Sequence, residues 1–163
     1  MDQPPAYEHR HVVSLEETNA LGNVYFAHFL RWQGKCREQF LFDFAPSVVR
    51  ELSGTLCLVT MNCSCEYFAE LAAGDELSIR MRPRDHHFNR LTLIFDYWRV
   101  GSSISADGQF LAARGEQQLG WFERRGNQLV PRAVPQDLLD AIDNASAAYA
   151  QGSPTPVPAT TSP

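Results

Sequence analysis

The feature that most constrains this chain is one long amphipathic helix pattern in a sequence that otherwise alternates like β-strands. Residues 14–44 read SLEETNALGNVYFAHFLRWQGKCREQFLFDF. Threonine, asparagine and glycine just before the apolar run are typical of a loop that leads into a helix N-terminus. The spacing predicts a helix from about residue 23 to residue 42. The predicted strands must therefore pack around this helix.

One broad arc of the predicted helix is apolar when its residues are placed 100° apart. The arc contains Tyr25, Phe26, Phe29, Leu30, Trp32, Gln33, Cys36, Arg37, Phe40 and Leu41. Arg37 lies inside this arc, where an unpaired guanidinium is costly to bury. Two interpretations follow for Arg37: it lies at the edge of the arc with its head in solvent, or it serves a site.

The remaining pattern has a period of two and predicts five strands, at 7–15, 55–68, 76–82, 88–100 and 109–123. In the second strand, Cys57, Val59, Met61, Cys63, Cys65 and Tyr67 are predicted to face the core, with Thr60 and Asn62 on the polar face. Pro83 is expected to end the third strand, 47–52 to form a turn, and 136–149 to form a short helix. Consecutive strands joined by short turns pair antiparallel, so the predicted fold is α+β, a five-stranded antiparallel sheet wrapped around one long helix.

Length and composition indicate one domain, because 163 residues with 44% hydrophobic content suffice for a single core. We expect this domain at 7–149, with a disordered lead-in at 1–6 and a disordered Pro/Thr-rich tail at 150–163. The net charge of −5 argues against nucleic acid or an anionic membrane as a partner. A long apolar run and a signal-peptide pattern are both missing from the sequence, so we expect a cytoplasmic protein.

The start of the predicted helix is a candidate oxyanion site, because its free backbone N–H groups, at Val24, Tyr25 and Phe26, carry the positive end of the helix dipole. Asn19 cannot act as a base, but its amide can orient a water or contact a carbonyl. The alternative for Asn19 is a helix cap or a loop turn. Glu17 is either a displaced base or a partner of the helix dipole.

The run ETNALGNVYFAHFLRW resembles the signature of the hotdog-fold thioesterases, in which an acidic residue stands three positions before the glycine. Asn19 occupies that position here. The run GNVYFAHFLRWQGKCRE is similar to the thioesterases of enediyne polyketide biosynthesis, and the resemblance covers residues 7 to 135. It implies a single hotdog domain, catalytic roles for Asn19 and Arg37, and no metal or organic cofactor.

The same resemblance implies a homo-oligomer, a dimer of dimers, in which Arg37 of one subunit approaches Asn19 of another. The helical rise supports a shared site, because it places Arg37 roughly 20 Å along the axis from its own Asn19 loop. Tyr25, Phe29 and the face that carries Thr60 and Asn62 are candidates for lining an acyl channel.

The function implied by the resemblance is hydrolysis of a long polyene β-keto acyl thioester from the acyl carrier protein of an iterative polyketide synthase, after which the acid loses CO₂. Two alternatives stay open. The first is a general acyl-CoA thioesterase, whose nucleotide phosphates would contact Arg80, Arg82, Arg84 and Arg90, although this cluster suits an acidic carrier protein equally well. The second is a non-catalytic hotdog protein that binds an acyl chain.

Overall fold

A computed structural model describes residues 5–104, 106 and 108–152. Most of the predicted lead-in, residues 1–4, and the greater part of the predicted tail, residues 153–163, lie outside the described residues. In the part of the chain that is described, no helix is both long and apolar enough to cross a membrane.

The chain forms one antiparallel sheet and three α-helices. The elements are β1 (Tyr7–Val12), a 3₁₀ helix (Leu15–Glu17), α1 (Ala27–Phe44), α2 (Pro46–Leu52), β2 (Leu56–Tyr67), β3 (Asp75–His87), β4 (Arg90–Ser102), β5 (Phe110–Arg125), β6 (Gln128–Pro131) and α3 (Gln136–Ala150). The strand order is β1-β3-β4-β5-β2, with β6 beside the end of β5. The predicted α+β architecture is confirmed, with β6 as an additional short strand after a tight turn at Gly126.

Helix α1 packs one face against the sheet and forms the centre of the core. Its buried residues are Phe29, Trp32, Gln33, Cys36, Phe40 and Leu41. All six belong to the predicted arc. They meet a layer of inward side chains from β3, β4 and β5, including Ile79, Phe95, Leu119 and Trp121, each no more than 1% exposed. Burying one large apolar side chain contributes about 1.5–3 kcal/mol, so this layer dominates the stability of the fold.

Helix α1 begins at Ala27, later than the predicted start near residue 23. The Val24 N–H donates to the Leu71 carbonyl at 2.8 Å, and the Tyr25 N–H donates to the Glu17 carbonyl at 3.0 Å. These contacts with remote segments hold the two residues in the loop, because their N–H groups are satisfied outside the helix. Local spacing carries no information about such partners.

Two further boundary predictions are wrong. Strand β3 continues through Pro83 to His87 because the pairing register with β4 shifts between Pro83 and Asp85. A proline is tolerated at such a bulge because no ladder N–H is required there. The segment predicted as a turn at 47–52 is helix α2, which begins with Pro46 in its first turn, a favoured position for proline.

Strand β2 contains a bulge that overturns the single alternation predicted for it. Thr60 pairs with Leu119 and Asn62 pairs with Gln118, which leaves Met61 as the extra residue. Before the bulge, Leu56 and Leu58 pack on the core, whereas after it Cys65 does so. One inserted residue reverses, relative to the sequence alternation, the face of the sheet on which every later side chain of the strand lies. Thr60 therefore faces α1, and Cys57 and Val59 lie on the outer face of the sheet, contrary to the predicted pattern. Asn62 lies on the outer face, in agreement with its predicted place on the polar face.

Candidate functional site

The guanidinium of Arg37 lies between α1 and the sheet rather than in solvent, with 15% of its side chain exposed. Its Nη1 donates to Gln117 Oε1 at 3.0 Å and lies 3.4 Å from Thr60 Oγ1. The ion pair recorded for it is with the largely exposed carboxylate of Glu38, at 3.8 Å. Burial lowers the pKa of Arg37, opposed by Glu38, but an arginine stays protonated in proteins.

The pairing of Arg37 differs from that of the other buried arginines in the described residues. Arg99 donates to the buried carboxylate of Asp75 at 3.1 Å, and the Asp96 carboxylate pairs with Arg82 and Arg114. In those cases opposite charges neutralise each other inside the protein. Arg37 is instead held by an amide and a hydroxyl, so most of its charge is not cancelled locally.

Arg37 borders a narrow, nearly closed cleft between α1, the sheet and α3, with a cavity volume of about 10 Å³. Its other lining residues are apolar: Phe40, Leu41, Leu58, Met81, Leu91, Leu93, Leu119, Trp121, Leu138 and Ile142. The Nε–H of Arg37 has no hydrogen-bond partner among the described residues. A volume of this size is about that of one water molecule, so the cleft admits an acyl chain only if the side chains that line it move apart, while the positive charge at its edge is suited to an oxyanion.

Asn19 is exposed and closes the turn that precedes α1. Its Oδ1 accepts the Leu21 N–H at 2.9 Å, and its backbone carbonyl accepts the Gly22 N–H at 3.0 Å. Gly22 has φ of +87°, a conformation that favours glycine. The side-chain oxygen thus performs the turn role that the sequence left open. This bond also fixes the direction of the Nδ2 group, which donates to no residue in the described ranges.

Glu17 anchors this loop from inside the protein and is 8% exposed. Its carboxylate accepts the Ser14 N–H at 2.8 Å and the Trp32 Nε1–H at 2.9 Å, and lies 2.9 Å from His11 Nε2. Burial alone would raise the pKa of Glu17, but the hydrogen bonds from Ser14, Trp32 and His11 bring it below its ordinary value. A carboxylate so fully occupied joins β1, the loop and α1, and it is poorly placed to act as a base.

The helix start offers fewer free donors than the sequence predicts. The N–H groups of Val24 and Tyr25 are bound to carbonyls, whereas the Phe26 N–H has no backbone acceptor in the described part of the chain. The Tyr67 hydroxyl donates to the Phe26 carbonyl at 3.1 Å and so pins this residue. Burial is the main cause that raises the pKa of Tyr67 to about 12, which keeps its hydroxyl protonated.

An open pocket with a volume of about 300 Å³ lies at the helix start. It is lined by Asn23, Val24, Phe26, Phe29, Tyr67, Phe68, Ala69, Glu70 and Leu71. Phe29 forms part of its wall, with its ring 5.0 Å from that of Tyr67. Tyr25 is 48% exposed beside Phe26, and Thr60 and Asn62 are outside this lining set. The proposed channel residues therefore do not line one cavity within a single chain.

No hydrogen bond or ion pair joins Asn19 to Arg37 within the described part of the chain. Arg37 is ten residues beyond Ala27, so it lies about 15 Å along the axis from the first residue of α1. The structure brings Arg37 together with Thr60 and keeps Asn19 at the opposite end of the helix. A single subunit leaves the two candidate catalytic side chains apart.

Sequence reasoning missed Gln117 and Tyr67, and it underestimated Glu17. The signal for Gln117 was available, because it is a polar residue with the same parity as Gly115, Leu119 and Trp121 along β5. The signal for Tyr67 was not, because its bond to Phe26 spans 41 positions. Within the described residues, no group of histidine, cysteine and acidic side chains could hold a metal ion.

Comparison with known proteins gives consistent results. A family profile described as thioesterase-like superfamily matches residues 13–142. The chain is similar to the dynemicin thioesterase, whose crystal structures revealed induced-fit and allosteric effects upon polyene binding, with a TM-score of 0.78 and 42% identity over 85% of this chain and 96% of that one.

The fold is also shared with more distant structures. A 1,4-dihydroxy-2-naphthoyl-CoA thioesterase from Synechocystis has a TM-score of 0.69 at 23% identity, over 85% of this chain and 96% of that one. A 4-hydroxybenzoyl CoA thioesterase has a TM-score of 0.71 at 13% identity, over 83% and 96%. A comparison with curated protein sequences gives no match.

Proposed function

This chain belongs to the thioesterase-like superfamily and has its hotdog fold, and we propose that it releases a long polyene β-keto acid from the acyl carrier protein domain of an iterative, enediyne-type polyketide synthase. The released acid then loses CO₂. The observation that carries this proposal is the buried guanidinium of Arg37 at the edge of an apolar cleft, where its hydrogen bonds go to neutral oxygens and its ion pair, with the exposed Glu38, is long at 3.8 Å. The similarity to a thioesterase that binds a polyene supports the choice of acyl chain.

The reaction requires little acid–base help from the protein, because a thiolate is a good leaving group. A water oxygen bonds to the acyl carbon and the water gives a proton to solvent; the C–S bond breaks, and the thiolate leaves with the electron pair and takes a proton from solvent. Charge develops on the carbonyl oxygen during the attack. A fixed donor at that position is worth about 10²- to 10³-fold in rate. We assign this stabilisation to the Phe26 N–H and the Arg37 guanidinium.

Asn19 is proposed to orient the attacking water and the carbonyl rather than to activate them. Its Oδ1 is fixed by the Leu21 N–H, and the second lone pair of that oxygen and the Nδ2 group remain for water and substrate. The amide cannot remove a proton. The rate therefore depends on positioning, on electrostatic stabilisation and on the electron-withdrawing β-keto group of the substrate.

We propose that the complete site forms between two subunits of a dimer, within a cytoplasmic dimer of dimers. Strand β2 is an edge strand of the sheet, so its outer backbone groups have no partner strand among the described residues. Tyr25, Phe26, Tyr67 and Phe68 beside it are each 44–55% exposed. Pairing of two β2 edges would cover these side chains and place the two α1 helices side by side.

The acyl-CoA alternative loses part of its sequence support. The Arg82 side chain pairs with Asp96, Arg84 pairs with Asp85 and Glu116, and Arg80 stacks over Trp98. These contacts occupy three of the four arginines that were candidates for binding nucleotide phosphates. The fourth, Arg90, begins β4.

The test is release of acid from two matched thioesters of the same polyene β-keto acyl group, one on the carrier protein and one on CoA. We expect turnover of the carrier-bound substrate to exceed that of the CoA ester and of simple acyl-CoA esters. Equal turnover of all three would support the general acyl-CoA thioesterase. Binding of the polyene acid without turnover of any ester would support the non-catalytic alternative.

A further inference from the structure

We propose that Gln117 is a positioning residue for Arg37, whose amide holds the guanidinium beside the apolar cleft without cancelling its charge. The inference rests on the proposed role of Arg37 in thioester hydrolysis. It extends the site to strand β5 and to a residue that lies 80 positions from Arg37 in the sequence.

The geometry places Gln117 directly against the guanidinium. Gln117 is 4% exposed and lies on the helix-facing side of β5, and its Oε1 accepts the Arg37 Nη1–H at 3.0 Å. Thr60 on β2 approaches the same nitrogen at 3.4 Å. Two neighbouring strands therefore hold the guanidinium from the side opposite to the helix.

The chemistry of Gln117 is unusual for the partner of a buried arginine. Elsewhere in the described residues, the buried guanidinium of Arg99 is paired with Asp75, and that of Arg82 with Asp96. A glutamate at position 117 would have the same length and would form a stronger, charge-assisted bond. If the only task were to satisfy a buried cation, a carboxylate would perform it better.

An amide has one advantage over a carboxylate at this position: it fixes the arginine and leaves its net charge available. Preorganised charge in a water-poor site stabilises a developing oxyanion much more strongly than the same charge in water. A carboxylate 3 Å away would instead neutralise the charge before substrate arrives. The geometry thus assigns two tasks to Gln117: its amide holds the Arg37 guanidinium in place, and it leaves the positive charge of Arg37 available to the substrate.

The decisive variant is Gln117→Glu, compared with Gln117→Met, which keeps the size of the side chain but removes the amide acceptor. Gln118→Glu and Gln118→Met are matched controls, because Gln118 is the next residue on β5 and lies on the opposite face of the sheet, paired with Asn62 and Thr92. The measurements are kcat, KM and thermal unfolding of the full-length protein with the carrier-bound thioester.

We expect Gln117→Glu to melt at the same temperature as the wild type or higher, while its kcat falls about tenfold to a hundredfold with little change in KM. Gln117→Met should also lower kcat, and both Gln118 variants should retain it. A merely structural role predicts the same gain in stability for Gln117→Glu but an unchanged kcat. That result would overturn the inference.

A double-mutant cycle separates the inference from the proposed function itself. If Gln117 acts through Arg37, Gln117→Met should cause no further loss of kcat in an Arg37→Ala background. Additive losses would overturn the positioning role. Wild-type turnover of Arg37→Ala alone would instead refute the proposed role of Arg37, whereas a slow Arg37→Ala protein with fully active Gln117 variants would refute only the role of Gln117.

Discussion

At the scale of single residues, the partners of a buried arginine indicate whether that arginine serves function or stability. The chain buries several arginines, and it neutralises Arg82 and Arg99 with carboxylates. The hydrogen bonds of Arg37 go to the neutral oxygens of Gln117 and Thr60, and its ion pair, with the exposed carboxylate of Glu38, spans 3.8 Å. A buried charge with so distant and exposed a counter-charge costs free energy, so its presence beside an apolar cleft indicates a task that the fold itself does not require.

The first prediction concerns the planar shape of the Arg37 guanidinium. Arg37→Lys should lower kcat roughly 10²-fold, because an ammonium keeps the charge but cannot reproduce the planar fork that bonds to Gln117 and the substrate together. Arg31→Lys, on the exposed face of α1, is the control and should be silent. A folded Arg37→Ala protein with unchanged turnover would show that the side chain has no part in the reaction.

The second prediction concerns Asn19. Asn19→Asp keeps the oxygen that accepts the Leu21 N–H, so the turn should survive and only the charge should change. A negative charge beside a forming oxyanion is unfavourable. Turnover of the β-keto polyene substrate should therefore not increase, and any gain should be confined to simple acyl-CoA esters. Measured turnover of both esters decides, and a large gain on the polyene would identify Asn19 as a lost acid.

At the scale of elements, the sequence predicts periodic structure well and long-range hydrogen bonding poorly. The inward face of α1 and the alternating apolar side chains of β3 and β4 follow from local spacing, because those side chains belong to the core around α1. The late start of α1 does not, because the Leu71 carbonyl that binds the Val24 N–H lies 47 positions away. The bulge at Met61 was also hidden, since apolar side chains occur on both faces of an exposed edge strand.

The residues of the candidate site likewise divide into those that the sequence predicts and one that only the three-dimensional structure shows. Asn19 and Arg37 could be named from the sequence, one by resemblance and one by its place in an apolar arc. The partner that holds Arg37 lies 80 positions away on β5, and only pairing of the strands brings it there. Parity marks Gln117 as an inward polar residue, but parity does not say which helix residue it meets.

A third prediction tests the anchor between the loop and α1. Glu17→Gln should lower the free energy of unfolding by about 1–3 kcal/mol at pH 7, because the carboxylate accepts hydrogen bonds from Ser14 and Trp32. The folded pKa of Glu17 is depressed. Its contribution is therefore fully present above the unfolded pKa of about 4.3 and is lost as the pH falls through the folded value.

Urea unfolding of both proteins between pH 7 and pH 3 measures this effect. The difference between wild type and Glu17→Gln should shrink at the acidic end of the series. Glu16→Gln, which changes the exposed neighbour, should shift stability by less than about 0.5 kcal/mol throughout. A difference that stays constant with pH would show that the charge of Glu17 is not what stabilises the loop.

At the scale of the whole molecule, the strand order places the long strand β2 at one edge of the sheet and the short strand β1 at the other. Strand β2 contributes Thr60 to the Arg37 site and ends at Tyr67, which pins the helix start. The same strand is the edge proposed to pair with a second subunit. Assembly and catalysis would then depend on one element, and subunit pairing would bring Asn19 of one chain towards Arg37 of the other.

The fourth prediction follows from such a shared site. Mixing inactive Asn19→Ala chains with inactive Arg37→Ala chains should restore activity, because each hybrid dimer contains one site with both residues intact. Random pairing in equal amounts gives half hybrids, and so about a quarter of wild-type turnover. Subunit exchange is verified independently with tagged chains. No recovery despite verified exchange would mean that both residues serve the same chain.

The bulge in β2 also determines which loss of a residue this strand can accommodate. Met61 is the extra residue, and its side chain lies over Gly120 on the outer face. Replacing Met61 alters one exposed side chain, whereas losing its codon would join the two halves of the strand into one alternation. Thr60 would stay on the side that faces α1, and so would Cys65 and Tyr67, because the residue removed is the extra one. A deletion of the three nucleotides that encode Met61 would therefore regularise strand β2 without changing which of its side chains face α1, whereas a deletion elsewhere in the strand has no extra residue to remove.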